Sequence, residues 1–272
     1  MQRPACHPTL GQVLDHVPYP LGFGTSGRRG LVVHLSQLEI FINVVAELEY
    51  LKTLPVAEGG IKVGDPFFFA ADLRPSSVRY MPEYQGRGEL AQAVMRAIES
   101  AGLSPVYLGH LPTPALAAFA FSQRKGSIMV TGSHIPFDRN GYKLNTARGE
   151  LLKQQEAPIS QWVERVRTRV YAEAYPRSIF DRSGRLKHGS VALPVPQMVA
   201  VQAYIRRFVD FFGDAALRGL RLLVYQHSAV GREVLPAILR ALGADVRVAG
   251  WSDTFVPIDT ENIDAERLAT LQ

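Results

Sequence analysis

The chain has 272 residues, of which 47% are hydrophobic and 20% charged, and 23 glycines and 18 prolines are scattered without a period. This composition excludes wholesale disorder and collagen-like or low-complexity chains, and the length suits about two domains. The net charge is +5 with no run of five or six basic residues, and the single Cys6 excludes internal disulfides and cysteine metal cages.

The segment Met1–Pro20 holds Pro4, Pro8, Asp15 and His16 and does not read as a signal peptide. No stretch approaches the roughly 18 apolar residues of a membrane span, so a cytoplasmic protein without membrane or nucleic-acid partners is expected. A helix is predicted from Ser36, where Ser36 and Glu39 have capping-box spacing. Leu38, Phe41, Ile42, Val45, Leu48 and Leu51 follow at helical spacing. Phe67–Ala71 reads as a buried strand that empties into Asp72-Leu73-Arg74-Pro75. A helix follows over about 88–101 and is stopped by Gly102, then a strand over 105–108. Pro114 suits the first turn of a helix over 113–124. Ser127–Val130 and Tyr142–Leu144 read as strands and Ile159–Tyr171 as a polar-faced helix. Alternating elements of this size indicate an α/β layered domain.

Residues 175–196 have three prolines, glycines and little periodicity, which suggests a domain boundary. The expected division is 1–175, a linker over 176–196, and 197–272. Helices over 197–212 and 231–242 and strands over 221–225 and 245–248 are predicted beyond it. Arg96-Ala97-Ile98 before Gly102 resembles Arg240-Ala241-Leu242 before Gly243. This echo fits a duplicated unit, or any helix–glycine–strand junction.

Two polar clusters carry chemistry. The first, Thr131–Lys143, directly follows the buried strand 127–130, and open α/β sheets bind ligands beyond the carboxyl ends of their strands. It offers a hydroxyl in Ser133, an imidazole in His134 and an amine in Lys143. A hydrolase elbow needs Gly-x-Ser-x-Gly, whereas Ile135 stands where the second glycine belongs. Adjacent side chains of an extended chain also point opposite ways, which argues against a Ser133–His134 pair. The second cluster is Gly22–Gly30. Its glycines, Thr25, Ser26, Arg28 and Arg29 form a candidate phosphate cradle, without the spacing of a Walker loop or dinucleotide fingerprint.

Together the clusters resemble the α-D-phosphohexomutases, the phosphomannomutases and phosphoglucomutases. Gly24–Gly30 is similar to their Gly-Thr-Ser-Gly-x-Arg-Gly stretch, Asp72–Ser76 to Asp-x-Arg-x-Ser, and Thr131–Pro136 to the Thr-Gly-Ser-His-Asn-Pro serine loop. Phe255–Glu261 resembles a second-domain stretch of bacterial members. The resemblance implies three-layer α/β/α domains with mixed sheets, the first half of a four-domain architecture. It also implies a phosphoserine at Ser133 that exchanges its phosphoryl group with a hexose phosphate through a hexose 1,6-bisphosphate. Lys143 matches the proton-transfer lysine, Arg29 the arginine facing the phosphoserine, and His134 the histidine after the serine. Thr25, Ser26 and Arg28 would bind substrate phosphate. Mg²⁺ would be held by the phosphate on Ser133 and by an Asp-Gly-Asp-x-Asp-Arg loop.

The sequence departs from the family in two ways. Ile135 replaces the usual Asn, and the metal, sugar and last phosphate loops are absent from the 272 residues. The missing C-terminal domains of the same enzyme are therefore the expected partner, and the isolated chain is expected to be inactive as a mutase. The alternative is a non-catalytic phosphosugar or anion-binding module. Other residues carry structural expectations. Asp72 and Arg74 suggest an ion pair at a strand end, His227 a turn residue, and Trp162 and Trp251 packing. His34, His110 and His188 lack metal-ligand spacing.

Overall fold

The computed structural model describes residues 7–24, 27–187 and 192–256. Its elements run α1 (Leu10–Val13), β1 (Arg28–Leu31), α2 (Gln37–Lys52), β2 (Pro66–Ala71), α3 (Pro75–Val78), β3 (Tyr80–Met81), β4 (Arg87–Gly88), α4 (Leu90–Ser100), β5 (Ser104–His110) and α5 (Thr113–Ser122). They continue with β6 (Ser127–Val130), β7 (Arg139–Thr146), β8 (Gly149–Glu150), α6 (Glu156–Tyr171), α7 (Val199–Phe212), β9 (Arg221–His227), α8 (Val234–Ala241) and β10 (Asp245–Trp251). The strand at Arg28–Leu31 was not anticipated, because glycine and two arginines mask so short a segment. It exists through antiparallel pairing with β7.

The main sheet has the order β1-β7-β6-β2-β5, with β8 appended to β7. β2 is parallel to β5 and β6, while β7 is antiparallel to β1, β6 and β8, so the sheet is mixed. The all-apolar run of β2 follows from burial on both faces. Phe67, Phe69 and Ala71 point to the core under α2, α4 and α6, and Phe68 and Ala70 to the opposite core with α5 and Ala200 of α7. This alternation, period two within a continuous apolar run, creates the α/β/α layering.

Helix α2 begins as the sequence indicates, with Ser36 Oγ accepting the backbone N–H of Glu39 at 3.1 Å. The Glu39 side chain does not close the capping box. It is buried and is claimed by Arg167 and Tyr171 of α6. The helix is buried nearly all round rather than along one stripe, because α4 and α6 flank it over the sheet. Its polar side chains are consequently partnered inside the protein.

Residues 176–187, expected to begin a linker, are fixed to this first unit. Phe180 and Leu186 are buried in its core, Phe180 meets Phe41 edge-on at 5.2 Å, and the Leu186 N–H reaches the Gln37 side chain at 2.9 Å. Pro176 and Gly184 (φ +75°) lie within this docked segment, while Pro194 and Pro196 lie beyond it. Helix α7 then packs on α5 through Ala200, Val201 and Tyr204, and on α8 through Ile205, Phe208 and Val209. β9 and β10 form a two-stranded parallel sheet.

The expected echo is a repeated helix end. Gly102 (φ +75°) and Gly243 (φ +94°) are left-handed residues after α4 and α8. In each, the glycine N–H bonds three residues back and the next N–H five back, Gly102 to Glu99 and Leu103 to Ile98, Gly243 to Arg240 and Ala244 to Leu239. Both are Schellman ends that turn a helix into a parallel strand.

Candidate functional site

β2 and β6 run side by side, with Ala71 opposite Val130, so Asp72 and Thr131 leave the sheet together. The Asp72 carboxylate organises this exit. Oδ1 accepts the Arg74 N–H at 3.0 Å and the Ser77 hydroxyl at 2.6 Å, and Oδ2 accepts the Gly132 N–H at 3.1 Å. The expected Asp72–Arg74 ion pair is present at 3.6 Å. Its larger consequence lies beyond the pair. The Arg74 guanidinium donates to the carbonyls of Pro136 (2.8 Å), Arg139 (3.0 Å), Ser133 (3.1 Å) and Ile135. Burial lowers the Arg74 pKa, while Asp72 and Asp138 oppose that fall.

Ser133 and His134 are exposed at the tip of this loop. Ser133 has φ +54°, and its N–H bonds Thr131 Oγ1 at 2.8 Å. The left-handed backbone overturns the extended-chain argument against a Ser–His contact. Ser133 Oγ and His134 Nδ1 lie 3.3 Å apart, at the long edge of hydrogen-bonding distance. Below the loop, buried Asn140 donates to Ser76 Oγ and Ser77 Oγ at 2.8 and 3.0 Å and accepts the Gly141 N–H at 2.8 Å. Asn140 was missed in sequence. Its type and position carry no periodic signal.

The sheet register separates the two arginines of the glycine-rich cluster. Arg29 pairs with Gly141 and Arg28 with Tyr142, and neighbouring pairs face opposite sides. Arg29 Nη1 donates to the carbonyls of Arg28 and Tyr142, both at 3.1 Å. Burial lowers its pKa, Asp72 counteracts this, and Arg74 adds to it. The same field therefore contains Arg29, Asp72 and Arg74. Arg28 must be reassigned. It is 3% exposed, its Nε donates to Glu47 Oε1 at 2.7 Å, its Nη1 to the Leu21 carbonyl, and it stacks 3.8 Å from the Phe23 centroid. A strand cannot turn two successive side chains to one face, so Arg28 serves the core rather than a phosphate. Thr25 and Ser26 lie outside the described residues, as do Cys6, His188 and the Pro257–Glu261 part of the second-domain stretch.

Lys143 lies on β7, two residues past Gly141 and hence on the face of Arg29. It forms an ion pair with Glu150. Gly27 (φ +79°) packs so closely on β7 that a Cβ would stand 2.3 Å from the Tyr142 carbonyl and 2.9 Å from Lys143 Cα. Lys143, Gly24, Gly27, Glu150 and Glu156 thus line one small recess. The serine loop leaves the sheet where the Thr131 N–H bonds the Gly141 carbonyl at 3.0 Å, and Lys143 lies two residues further along β7, opposite Met129 of β6.

The second unit reaches this edge. Ser228 Oγ, after β9, accepts the Val256 N–H at 2.9 Å and donates to its carbonyl at 3.2 Å. Phe255 is thereby laid 5.2 Å from Phe137 and 5.1 Å from the Arg74 guanidinium. His227 (φ +53°) is the last residue of β9, opposite Trp251 of β10, rather than a residue of the turn that follows. Trp251 is not packed; it is half-exposed, bonds Glu233 at 2.9 Å and lies under Arg232. His110 contacts the Asp72 carbonyl through Nδ1 at 2.9 Å. No helix among the described residues is long and apolar enough to cross a membrane.

Residues 85–169, including the serine loop and Lys143, match the profile of phosphoglucomutase/phosphomannomutase, alpha/beta/alpha domain I. A phosphomannomutase of Sinorhizobium fredii is 35% identical over 89% of this chain and 46% of its own length. One of Salmonella muenchen is 32% identical over 90% and 44%. The chain spans about half the length of the curated relatives it matches. The fold is shared with the crystal structure of a phosphoglucomutase/phosphomannomutase family protein of Burkholderia thailandensis, at TM-score 0.56 and 19% identity, over 85% of this chain and 44% of that one. Sequence, sheet topology and serine loop agree: the chain belongs to the α-D-phosphohexomutase family.

Proposed function

We propose that the chain is the nucleophile-bearing part of a phosphohexomutase that interconverts hexose 1-phosphate and 6-phosphate, with Ser133 as phosphoryl carrier and mannose and glucose phosphates as substrates. The observation that carries this reading is the presentation of Ser133, exposed on a left-handed backbone after β6, with Arg74 bonded to its carbonyl and Arg29 in the field of Asp72 and Arg74. A phosphoserine there brings about −1.5 to −2 charge at neutral pH, and phosphoryl transfer needs positioning and charge neutralisation above all.

In the first half of the cycle the phosphorus–Oγ bond breaks and a bond to the free sugar hydroxyl forms. For the Lys143 amine to take that hydroxyl's proton it first passes its own to the paired Glu150, and Ser133 Oγ leaves as the alkoxide that is the nucleophile of the second half. In the second half Ser133 Oγ attacks the other phosphate of the hexose 1,6-bisphosphate. Its bond to the sugar breaks and Lys143 returns the proton to the sugar oxygen. Arg29 neutralises the phosphoryl oxygens, and His134 holds the serine side chain. Mg²⁺ supplies further neutralisation in such chemistry. Among the described residues no group of three or more His, Cys, Asp or Glu is placed to hold a metal. The phosphate on Ser133 would be the donor that this chain offers the ion. Without an Asp-Gly-Asp-x-Asp-Arg loop in the sequence, the 272-residue chain by itself turns over little.

The test is intact-mass measurement after incubation with glucose 1,6-bisphosphate and Mg²⁺. A gain of about 80 Da, one phosphoryl group, is expected and should vanish in Ser133→Ala. Binding of the sugar phosphate without that gain favours a non-catalytic phosphosugar-binding module. Mutase turnover undiminished in Ser133→Ala would remove the assignment.

A further inference from the structure

We infer that Arg74, faced by Phe255, is the positioning residue of the serine loop: it holds Ser133 in its left-handed conformation and so sets the direction in which the hydroxyl meets a phosphoryl group. The inference rests on the reading of Ser133 as phosphoryl carrier and extends it to residues that do not touch substrate.

The argument starts from strain. A non-glycine residue in the left-handed region is strained and persists only where surrounding structure over-determines it. At Ser133 the determinant is visible. Four carbonyls between Ser133 and Arg139 converge on one guanidinium, whose planar fork of donors can serve them together. Lysine, with donors on a single nitrogen, cannot span that set. The convergence also turns the negative ends of four peptide dipoles toward Arg74, leaving fewer carbonyl oxygens to oppose an anion on Ser133.

Three further contacts fix the guanidinium. Asp72 holds its Nε side at 3.6 Å and through Oδ2 also holds the Gly132 N–H. Gly132 is packed on the arginine, since a Cβ there would stand 2.3 Å from Nε. Phe255 presents its ring 5.1 Å from Cζ, within cation–π range, while also meeting Phe137 of the loop. Phe255 comes from the second unit, and its neighbour Val256 is tied to Ser228 at the end of β9. The geometry of the nucleophile is thus shared between the two units.

The test uses the full 272-residue chain as wild type, Arg74→Lys, Gly132→Ala and Phe255→Leu. Two measurements are made: the rate of Ser133 phosphorylation by glucose 1,6-bisphosphate, by intact mass, and the NMR backbone coupling and carbon shifts of Ser133, which report a positive φ. Arg74→Lys and Gly132→Ala are expected to slow phosphorylation on the order of 10–100-fold and to abolish the positive-φ signature, while distant amide shifts stay unchanged. Phe255→Leu, which leaves the arginine and the loop sequence intact, should give the same signature with a smaller, several-fold loss. It also covers the case in which the other two variants fail to fold. Retention of the positive-φ signature in all folded variants, with rates within twofold of wild type, overturns the inference. If the wild-type chain takes no phosphoryl group, the phosphoserine reading fails, and the NMR signature still decides whether Arg74 sets the loop.

Discussion

Two regions of this molecule bury an arginine against a carboxylate, and they use it differently. Beneath the sheet, Arg28 and Glu47 join helix α2 to β1 with exposures of 3% and 1%, beside the buried Tyr142 ring. At the sheet's end, Arg74 and Asp72 are also buried, yet the guanidinium spends its donors on the carbonyls of a loop whose tip is exposed. In the first region the cation completes a core; in the second it shapes a surface. Charge alone does not distinguish them. The number and kind of acceptors does, together with what lies on the far side of those acceptors.

Substitutions that break one region and spare the other sharpen this contrast. The largest effect is expected from Glu47→Ala, which strands a buried guanidinium and should cost about 3–5 kcal/mol in denaturant unfolding. Replacing both partners with apolar residues should recover much of that loss. Arg29→Ala, on the opposite face of the same strand, should lose little stability. It should slow Ser133 phosphorylation by about 10²-fold, since the cation proposed to neutralise the transferring group is removed. An equal fall in stability for Arg28 and Arg29 variants would dissolve the contrast. Gly27→Ala strains a left-handed position and drives a Cβ into the Tyr142 carbonyl; a loss of about 1–3 kcal/mol is expected, with slower phosphorylation.

The smallest effect is a pH dependence confined to the core side. Burial pushes the Tyr107 phenol up to about 12. The native state therefore keeps a proton that the unfolded chain gives up near pH 10, so stability falls as pH rises between about 10 and 12. Tyr107→Phe should reduce that slope, with the remainder kept by Tyr142 and Tyr171, whose phenols burial also raises. An unchanged slope in the variant would assign the titration elsewhere.

Much of the fold is legible in the residues. The Ser36 cap, the apolar run of β2 and the glycine after α4 each dictate a local outcome through one short-range rule. The serine loop is legible for the same reason: a polar cluster directly after a buried strand has one place to go. The division of labour within Arg28-Arg29 is not legible, because two identical side chains differ only through register with β7. The fixing of residues 176–187 on the first core escapes a local reading too, since Phe180 and Leu186 meet Phe41 and Gln37 from far along the chain.

What the sequence by itself determined is the longer helices and most of the longer strands, their alternation and the chemistry available at the end of β6. These follow from hydrophobic period, caps and turn residues, which act over a few positions. Only the tertiary structure decided which arginine faces the core, that Ser133 adopts a left-handed backbone, and that Phe255 reaches Arg74 from the second unit. Each depends on groups that meet across long stretches of chain, and local propensity carries no information about whom a side chain will meet.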